Sequence, residues 1–176
     1  MKSFFTIFRV KAGWMGLVGN EKGVQRIFLP GLEKGKLREL IQREFPESQE
    51  EAGFLDRVKS QFIEYFSGSR SRFNIPLDLS KVTPFHKKVY EVMSTIPFGE
   101  VRTYGWLAQK AGNPQAVRAV GGANARNCWP IVIPCHRVVG KDGRLTGFSA
   151  PGGLALKSEL LRLEGIPVEK NKVGIR

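Results

Sequence analysis

At 176 residues with 41% hydrophobic and 25% charged content, the chain has material for one ordinary domain or two small ones. No apolar run nears the roughly 20 residues a membrane helix needs, and Met1-Lys2-Ser3-Phe4-Phe5 is too short an apolar block for a secretory signal. The net charge of +12 is lopsided: residues 1–80 carry 13 Lys/Arg against 10 Asp/Glu, and residues 81–176 carry 15 against 6. That asymmetry predicts an anionic partner for the second half, with nucleic acid first, although a merely basic surface would carry the same charge. The chain holds only two cysteines, which predicts no disulfide framework and a reducing, cytoplasmic setting.

In chain order, residues 3–29 read as strands joined by glycine turns, a small antiparallel sheet: Phe4 to Val10 alternates apolar and polar, and Met15 to Val18 and Val24 to Leu29 follow. Leu37, Leu40, Ile41 and Phe45 mark a helix over Glu33 to Phe45, stopped by Pro46. Glu47, Glu50 and Glu51 read as the solvated entrance to a second amphipathic helix, carried by Phe54, Leu55, Val58, Phe62, Ile63 and Phe66. A domain boundary is expected between Ser67 and Ser80, with Ile75 to Leu79 as an extended link. The organisation predicted is a support domain over 1–80 and a functional domain over 81–176.

The second half opens with Thr83-Pro84, an N-cap with proline at the first helical position. Tyr104 to Ala111 and Gln115 to Ala125 read as two short helices around the turn Gly112-Asn113-Pro114, a helix-turn-helix whose second helix faces DNA. That helix carries small residues, the pair Gly121-Gly122 and one long cation, Arg118. The glycines offer close backbone approach, either to DNA or to another helix of the domain. Next comes Pro130-Ile131-Val132-Ile133-Pro134-Cys135-His136-Arg137-Val138-Val139, expected as a short buried strand that delivers a nucleophile-type and a base-type residue at its end. A buried structural cysteine beside a hydrogen-bonded histidine gives the same local pattern.

Taken together, Thr103-Tyr104, Gly112-Asn113-Pro114, Arg118 to Gly122, Asn127, Ile133 to Val139, Gly152 to Lys157 and Leu163-Glu164-Gly165 resemble the O6-alkylguanine-DNA alkyltransferases, closely over about residues 83–166. The resemblance implies a mixed α/β fold: an N-terminal domain like ribonuclease H without its catalytic carboxylates, and a mostly helical C-terminal domain with a winged-helix-like helix-turn-helix and an active-site strand. It implies a repair protein that flips O6-alkylguanine, and O4-alkylthymine also, out of the duplex and moves the alkyl group irreversibly to Cys135.

In that scheme His136 is the base, acting through a water, and Glu164 orients it. Asn127 ties helix to active-site segment, and Tyr104 helps rotate the nucleotide and donates to the leaving guanine. DNA contacts fall to Thr103, Ala116, Val117, Ala119, Gly121 and Gly122, with Arg118 filling the gap in the base stack. The base pocket is expected from Pro130, Trp129, Val138, Phe148, Ser149 and Lys157, with carbonyls near Cys135 and Val138 reading the guanine edge. The partner implied is double-stranded DNA, bound in the minor groove by a monomer largely without regard to sequence. Two histidines and two cysteines at these spacings are no zinc set, and neither metal nor soluble cofactor is expected. Phe148 stands where some relatives have tyrosine, and Cys128-Trp129 where smaller or apolar residues are common. Cys128 lacks a following histidine and reads as structural. The alternative reading, a helix-turn-helix module that only binds and flags alkylated DNA, is disfavoured by the presence of Cys135.

Overall fold

The structure, a computed structural model, describes residues 2–51 and 53–175. The chain divides into two compact units, Met1–Ser80 and Lys81–Arg176.

The first unit is built on three antiparallel strands, β1 (Phe4–Val10), β2 (Gly13–Asn20) and β3 (Gly23–Phe28). A fourth strand, β4 (Gln49–Glu50), pairs parallel with β1, so the sheet order is β3-β2-β1-β4. The alternating pattern works as expected: Phe5, Val18 and Phe28 form one core with Leu37 and Ile41 of α1 (Lys34–Glu44). Gly16 lets α1 lie close to the sheet, since a Cβ there would come within 2.7 Å of the Ile41 Cδ1. The second helix, α2 (Asp56–Phe66), buries Val58, Phe62, Tyr65 and Phe66.

One expectation needs correction in this unit. The acidic stretch is not a helix entrance. Gln49 and Glu51 donate to the carbonyls of Ser3 and Phe5, and Glu50 holds Arg38 with both oxygens. Sheet edges attract such pairing because their backbone groups are otherwise unsatisfied. The expected extended segment Ile75 to Leu79 is also bonded, since Val24 donates to the Pro76 carbonyl at 2.8 Å and accepts from Asp78 at 2.9 Å. This lays the segment along β3.

The second unit opens with α3 (Pro84–Met93), where Thr83 caps by accepting from the His86 N–H. After β5 (Arg102–Thr103), α4 (Tyr104–Lys110) is capped by Thr103, which accepts from the Trp106 N–H at 3.1 Å. The turn follows with Gly112 at φ 91° and Asn113 accepting from the Gln115 N–H. That turn uses Gln115 and Ala116, so α5 starts later than predicted, at Val117, and runs to Ala125. Helices α3, α4 and α5 pack together through Val89, Met93, Leu107, Ala108, Val120 and Ala123. A second core of Val101, Val139, Leu145, Leu161, Ile166, Val168 and Val173 seats α6 (Gly153–Leu163).

The buried strand expected from Pro130 onward is absent. Residues Trp129 to Ile133 form a turn closed by the Ile133 N–H donating to the Trp129 carbonyl at 2.8 Å, with Ile131 at φ 75°. Cys135–Arg137 is one turn of 3-10 helix, and the strand β6 is only Val138–Val139, paired parallel with β5. Three branched apolar residues signal burial equally well in a turn, and prolines at both ends remove the N–H groups that a ladder needs. Among the described residues no helix is long and apolar enough to cross a membrane.

Candidate active site

The turn after Pro134 determines what the Cys-His pair can do. Because Cys135–Arg137 is coiled rather than extended, three consecutive side chains leave it buried: Cys135 at 5% exposure, His136 at 0% and Arg137 at 7%. Asn127, just past the end of α5, holds this turn from outside. Its amide donates to the Ile133 carbonyl at 2.7 Å, and its oxygen accepts from the Trp129 N–H at 2.9 Å. One side chain thus satisfies two backbone groups of a segment with no sheet to do so.

Glu164, the residue that ends α6, reaches the other side of the turn. Its Oε1 lies 2.7 Å from His136 Nε2, and Arg137 donates to Oε2 at 2.8 Å and to Oε1 at 2.9 Å. Burial pushes the Glu164 carboxyl up, but the bonds and charges of His136 and Arg137 outweigh it and bring it down to about 2. Glu164 is therefore an ionised acceptor. The proton between it and His136 belongs to Nε2. Burial holds the imidazole below its ordinary pKa, with Glu164 opposing only in part, so the ring is neutral near pH 7. A neutral ring protonated at Nε2 has its lone pair at Nδ1, and Nδ1 has no hydrogen-bond partner among the described residues.

Cys135 is the complement of that base. Burial pushes its thiol above the usual range, and the Asn127 side chain and the charge of Lys157 offset this in part. A thiol so placed is protonated at neutral pH and needs a proton acceptor before it can act as a nucleophile. Lys157, fully buried on α6, donates to the carbonyls of Val138 at 2.7 Å and Thr146 at 2.9 Å. Burial lowers its pKa to about 8, with the Cys135 charge acting the other way. The Cys135 carbonyl accepts from the Val138 N–H, so the Cys135 and Val138 carbonyls both lie in this network as acceptors.

A second group surrounds Tyr104. Its hydroxyl accepts from the Asn124 amide at 3.3 Å and donates to the Thr146 carbonyl at 3.5 Å, and burial raises its pKa. Ser149 donates to the Ala125 carbonyl at 3.0 Å. Thr146 thus joins Tyr104 to Lys157, and the loop through Phe148, which is half-buried, is held at both ends.

The expected residues fall into three sets. Cys135, His136, Glu164, Asn127, Val138 and Lys157 form one network, with Tyr104 and Ser149 tied to it through the 146–149 loop. On α5, Val117, Arg118 and Ala119 are exposed and Ala116, Gly121 and Gly122 are half-buried. A Cβ at Gly121 would meet nothing within 4 Å, so packing inside the domain does not require that glycine. The third set makes structural contacts. The Thr103 hydroxyl is spent on the α4 cap, Pro130 is buried beside the turn, and the buried ring of Trp129 packs edge-on against Tyr90 at 6.1 Å. Cys128 donates to the Arg126 carbonyl at 3.6 Å.

Sequence reasoning passed over two residues. Arg137 carried a signal, being a cation inside an apolar run, which has to be buried with a partner. Asn124 did too, as the one long polar side chain on the buried side of a helix of small residues. Among the described residues no group of three or more His, Cys, Asp or Glu could hold a metal ion.

Residues 84–166 match the 6-O-methylguanine DNA methyltransferase DNA-binding domain. The chain is 38% identical over 164 residues to the constitutive methylated-DNA–protein-cysteine methyltransferase of Bacillus subtilis, covering 93% of this chain and 96% of that one. It is 41% identical over 162 residues to the protein of that name from Methanosarcina barkeri, covering 92% and 96%. Among solved structures, Mycobacterium tuberculosis OGT in complex with DNA superposes with a TM-score of 0.76 at 32% identity, covering 93% of this chain and 92% of that one. The O6-methylguanine-DNA methyltransferase of Pyrococcus kodakaraensis gives a TM-score of 0.66 at 32% identity, with 93% and 99% covered.

Proposed function

We propose, for a chain that belongs to the methylated-DNA–protein-cysteine methyltransferases and repairs DNA by moving an alkyl group onto a protein cysteine, that Cys135 is the acceptor. The observation that carries this reading is the buried bond from Glu164 to His136 Nε2, which leaves Nδ1 without a partner on the residue that follows a buried, protonated thiol.

The donor is O6-alkylguanine, and by the same chemistry O4-alkylthymine. The alkylated base is swung out of the duplex, since the thiol is buried and the reacting carbon lies inside the base stack. His136 Nδ1 takes the thiol proton through a water, Sγ attacks the alkyl carbon, and the C–O6 bond breaks with its electron pair left on guanine. Tyr104 donates to the guanine as that charge develops. The Cys135 and Val138 carbonyls accept from the guanine edge. Pro130, Trp129, Phe148, Ser149 and Lys157 bound the pocket. The product is an S-alkylcysteine, and a thioether is a poor leaving group, so each molecule acts once and needs no cofactor.

Helix α5 enters the minor groove. Its small residues and the open space over Gly121 suit a narrow groove and recognition without sequence preference. Arg118, exposed on that helix, fills the place of the flipped base. The protein binds as a monomer, and residues 1–80 serve as its support.

Intact-protein mass spectrometry after incubation with a duplex containing O6-methylguanine tests the reading. The mass rises by one methyl, located on Cys135 by peptide mapping, and Cys135→Ala shows no rise while still binding the duplex. Binding by the unaltered protein with no mass gain would make it a module that only flags alkylated DNA.

A further inference from the structure

The guanidinium of Arg137 is spent entirely inside the protein. Nε donates to one Glu164 oxygen and Nη2 to the other, and Nη1 donates to the Ile96 carbonyl at 2.7 Å. A charge buried this far is retained at a cost in desolvation unless its geometry is good, and here each of the three guanidinium nitrogens donates to a protein oxygen. The carboxylate it grips is the one that meets His136, and Glu164 Oε1 accepts from both residues.

Two properties of the site depend on that grip. A carboxylate gripped on both oxygens stays ionised and can only accept. A protonated Glu164 could instead donate to Nε2, and the neutral ring would then carry its proton on Nδ1, where it could take nothing from the Cys135 thiol. The tautomer of the base is thus set one residue further out than Glu164.

We propose that Arg137 is a positioning residue for alkyl transfer: its fork on both Glu164 oxygens keeps that carboxylate a pure acceptor, so that His136 holds its proton on Nε2 and offers Nδ1 to Cys135. The inference rests on the roles given above to Cys135 and His136. The charged groups acting on His136 are Glu164 from the end of α6, Lys157 from its middle, and Arg137 from its own turn. Lys157 and Arg137 disfavour an imidazolium and Glu164 favours it. Removing the Arg137 charge therefore raises the imidazole pKa, and the acid limb of the rate profile moves to higher pH.

The test measures single-turnover transfer from an O6-methylguanine duplex across pH 5 to 9, with duplex affinity and melting measured alongside. Imidazole nitrogen NMR on histidine-labelled protein reads the tautomer, and with only two histidines His86 serves as an internal reference. Arg137→Gln is expected to bind the duplex as before, transfer at least about tenfold more slowly at neutral pH, shift the acid limb upward and lose the pure Nε2–H pattern. Arg137→Lys keeps the charge without the fork, and is expected to restore most of the limb position and part of the rate. A brace that only ties the turn to Ile96 would leave limb and tautomer unmoved in both variants, and that result overturns the proposal. Should Arg137→Gln fail to fold, Arg137→Lys decides alone: a mixed tautomer with slowed transfer supports the proposal, and an unchanged tautomer overturns it. Unaltered protein that transfers no methyl, or a His136→Gln variant as fast as the parent, would sink the roles of Cys135 and His136 and this inference with them.

Discussion

Glu164 connects the site to the stability of the fold. Its carboxyl is brought from 4.5 down to about 2 in the folded protein. The unfolded chain therefore binds the proton first as acid is added, and the stabilisation is complete above about pH 4.5 and lost as pH falls toward 2. A depression of that size corresponds to roughly 3 kcal/mol. We expect the melting temperature to fall steeply between pH 5 and pH 2.5. Glu164→Gln should start lower at pH 7, because Arg137 loses its buried partner, and should descend less steeply. Parallel curves for the two proteins would contradict this assignment. At this scale the residues that gather around the Cys135 turn were legible, since Cys135, His136 and Glu164 stood in a specific pattern. Their protonation states were not, because those follow from burial and from Arg137, which no spacing in the chain connects to Glu164.

Among the elements, α5 separates stability from function most cleanly. Gly121 has helical backbone with no positive φ, and its missing side chain would meet nothing within 4 Å. Gly121→Ala should therefore stabilise the fold by about 0.5–1 kcal/mol, while weakening duplex binding if α5 lies in the minor groove as proposed, because the added methyl would meet the groove wall. Calorimetry and a binding titration on one sample check both signs, and a variant that binds as tightly as the parent would remove the groove from the account of this helix. The helices were the most legible elements, with the cap at Thr83 found where the sequence put it, whereas the cap at Thr103 was not read from the sequence. The segment Trp129 to Ile133 was the least legible. Its Val and Ile content argued for a strand, and the deciding bond from the Ile133 N–H to the Trp129 carbonyl is a tertiary choice supported by Asn127. The strand β4 was missed for a related reason, being two polar residues whose partner, β1, lies far upstream.

For the whole molecule, the charge of +12 sets how it meets DNA, and the two units share it unequally. Binding dominated by phosphate contacts weakens on the order of a hundredfold between 50 and 200 mM salt when about four phosphates are neutralised. We expect a steep salt dependence that barely differs between duplexes of unrelated sequence. A flat dependence would mean that base contacts dominate. Alkylation should also register in the molecule as a whole. Adding a methyl inside the packed surroundings of Cys135 costs about 1–3 kcal/mol, so the spent protein should melt several degrees below the unspent one, and equal melting temperatures would show the pocket to be loose. The division near Ser80 could be read from a polar Gly- and Ser-containing stretch and a shift in charge. The docking of residues 76–78 along β3 could not, because it rests on backbone bonds from a stretch with little pattern of its own.

The burial of Cys135 has one more implication, which concerns waiting rather than reacting. A reagent used once must last until it is needed, and dissolved oxidants and electrophiles consume thiolates in preference to thiols. With its sulfur kept protonated and walled off at 5% exposure, this protein has a shelf life built into its resting state. The feature that makes the cysteine slow in solution also keeps each copy in reserve for the one substrate that fits.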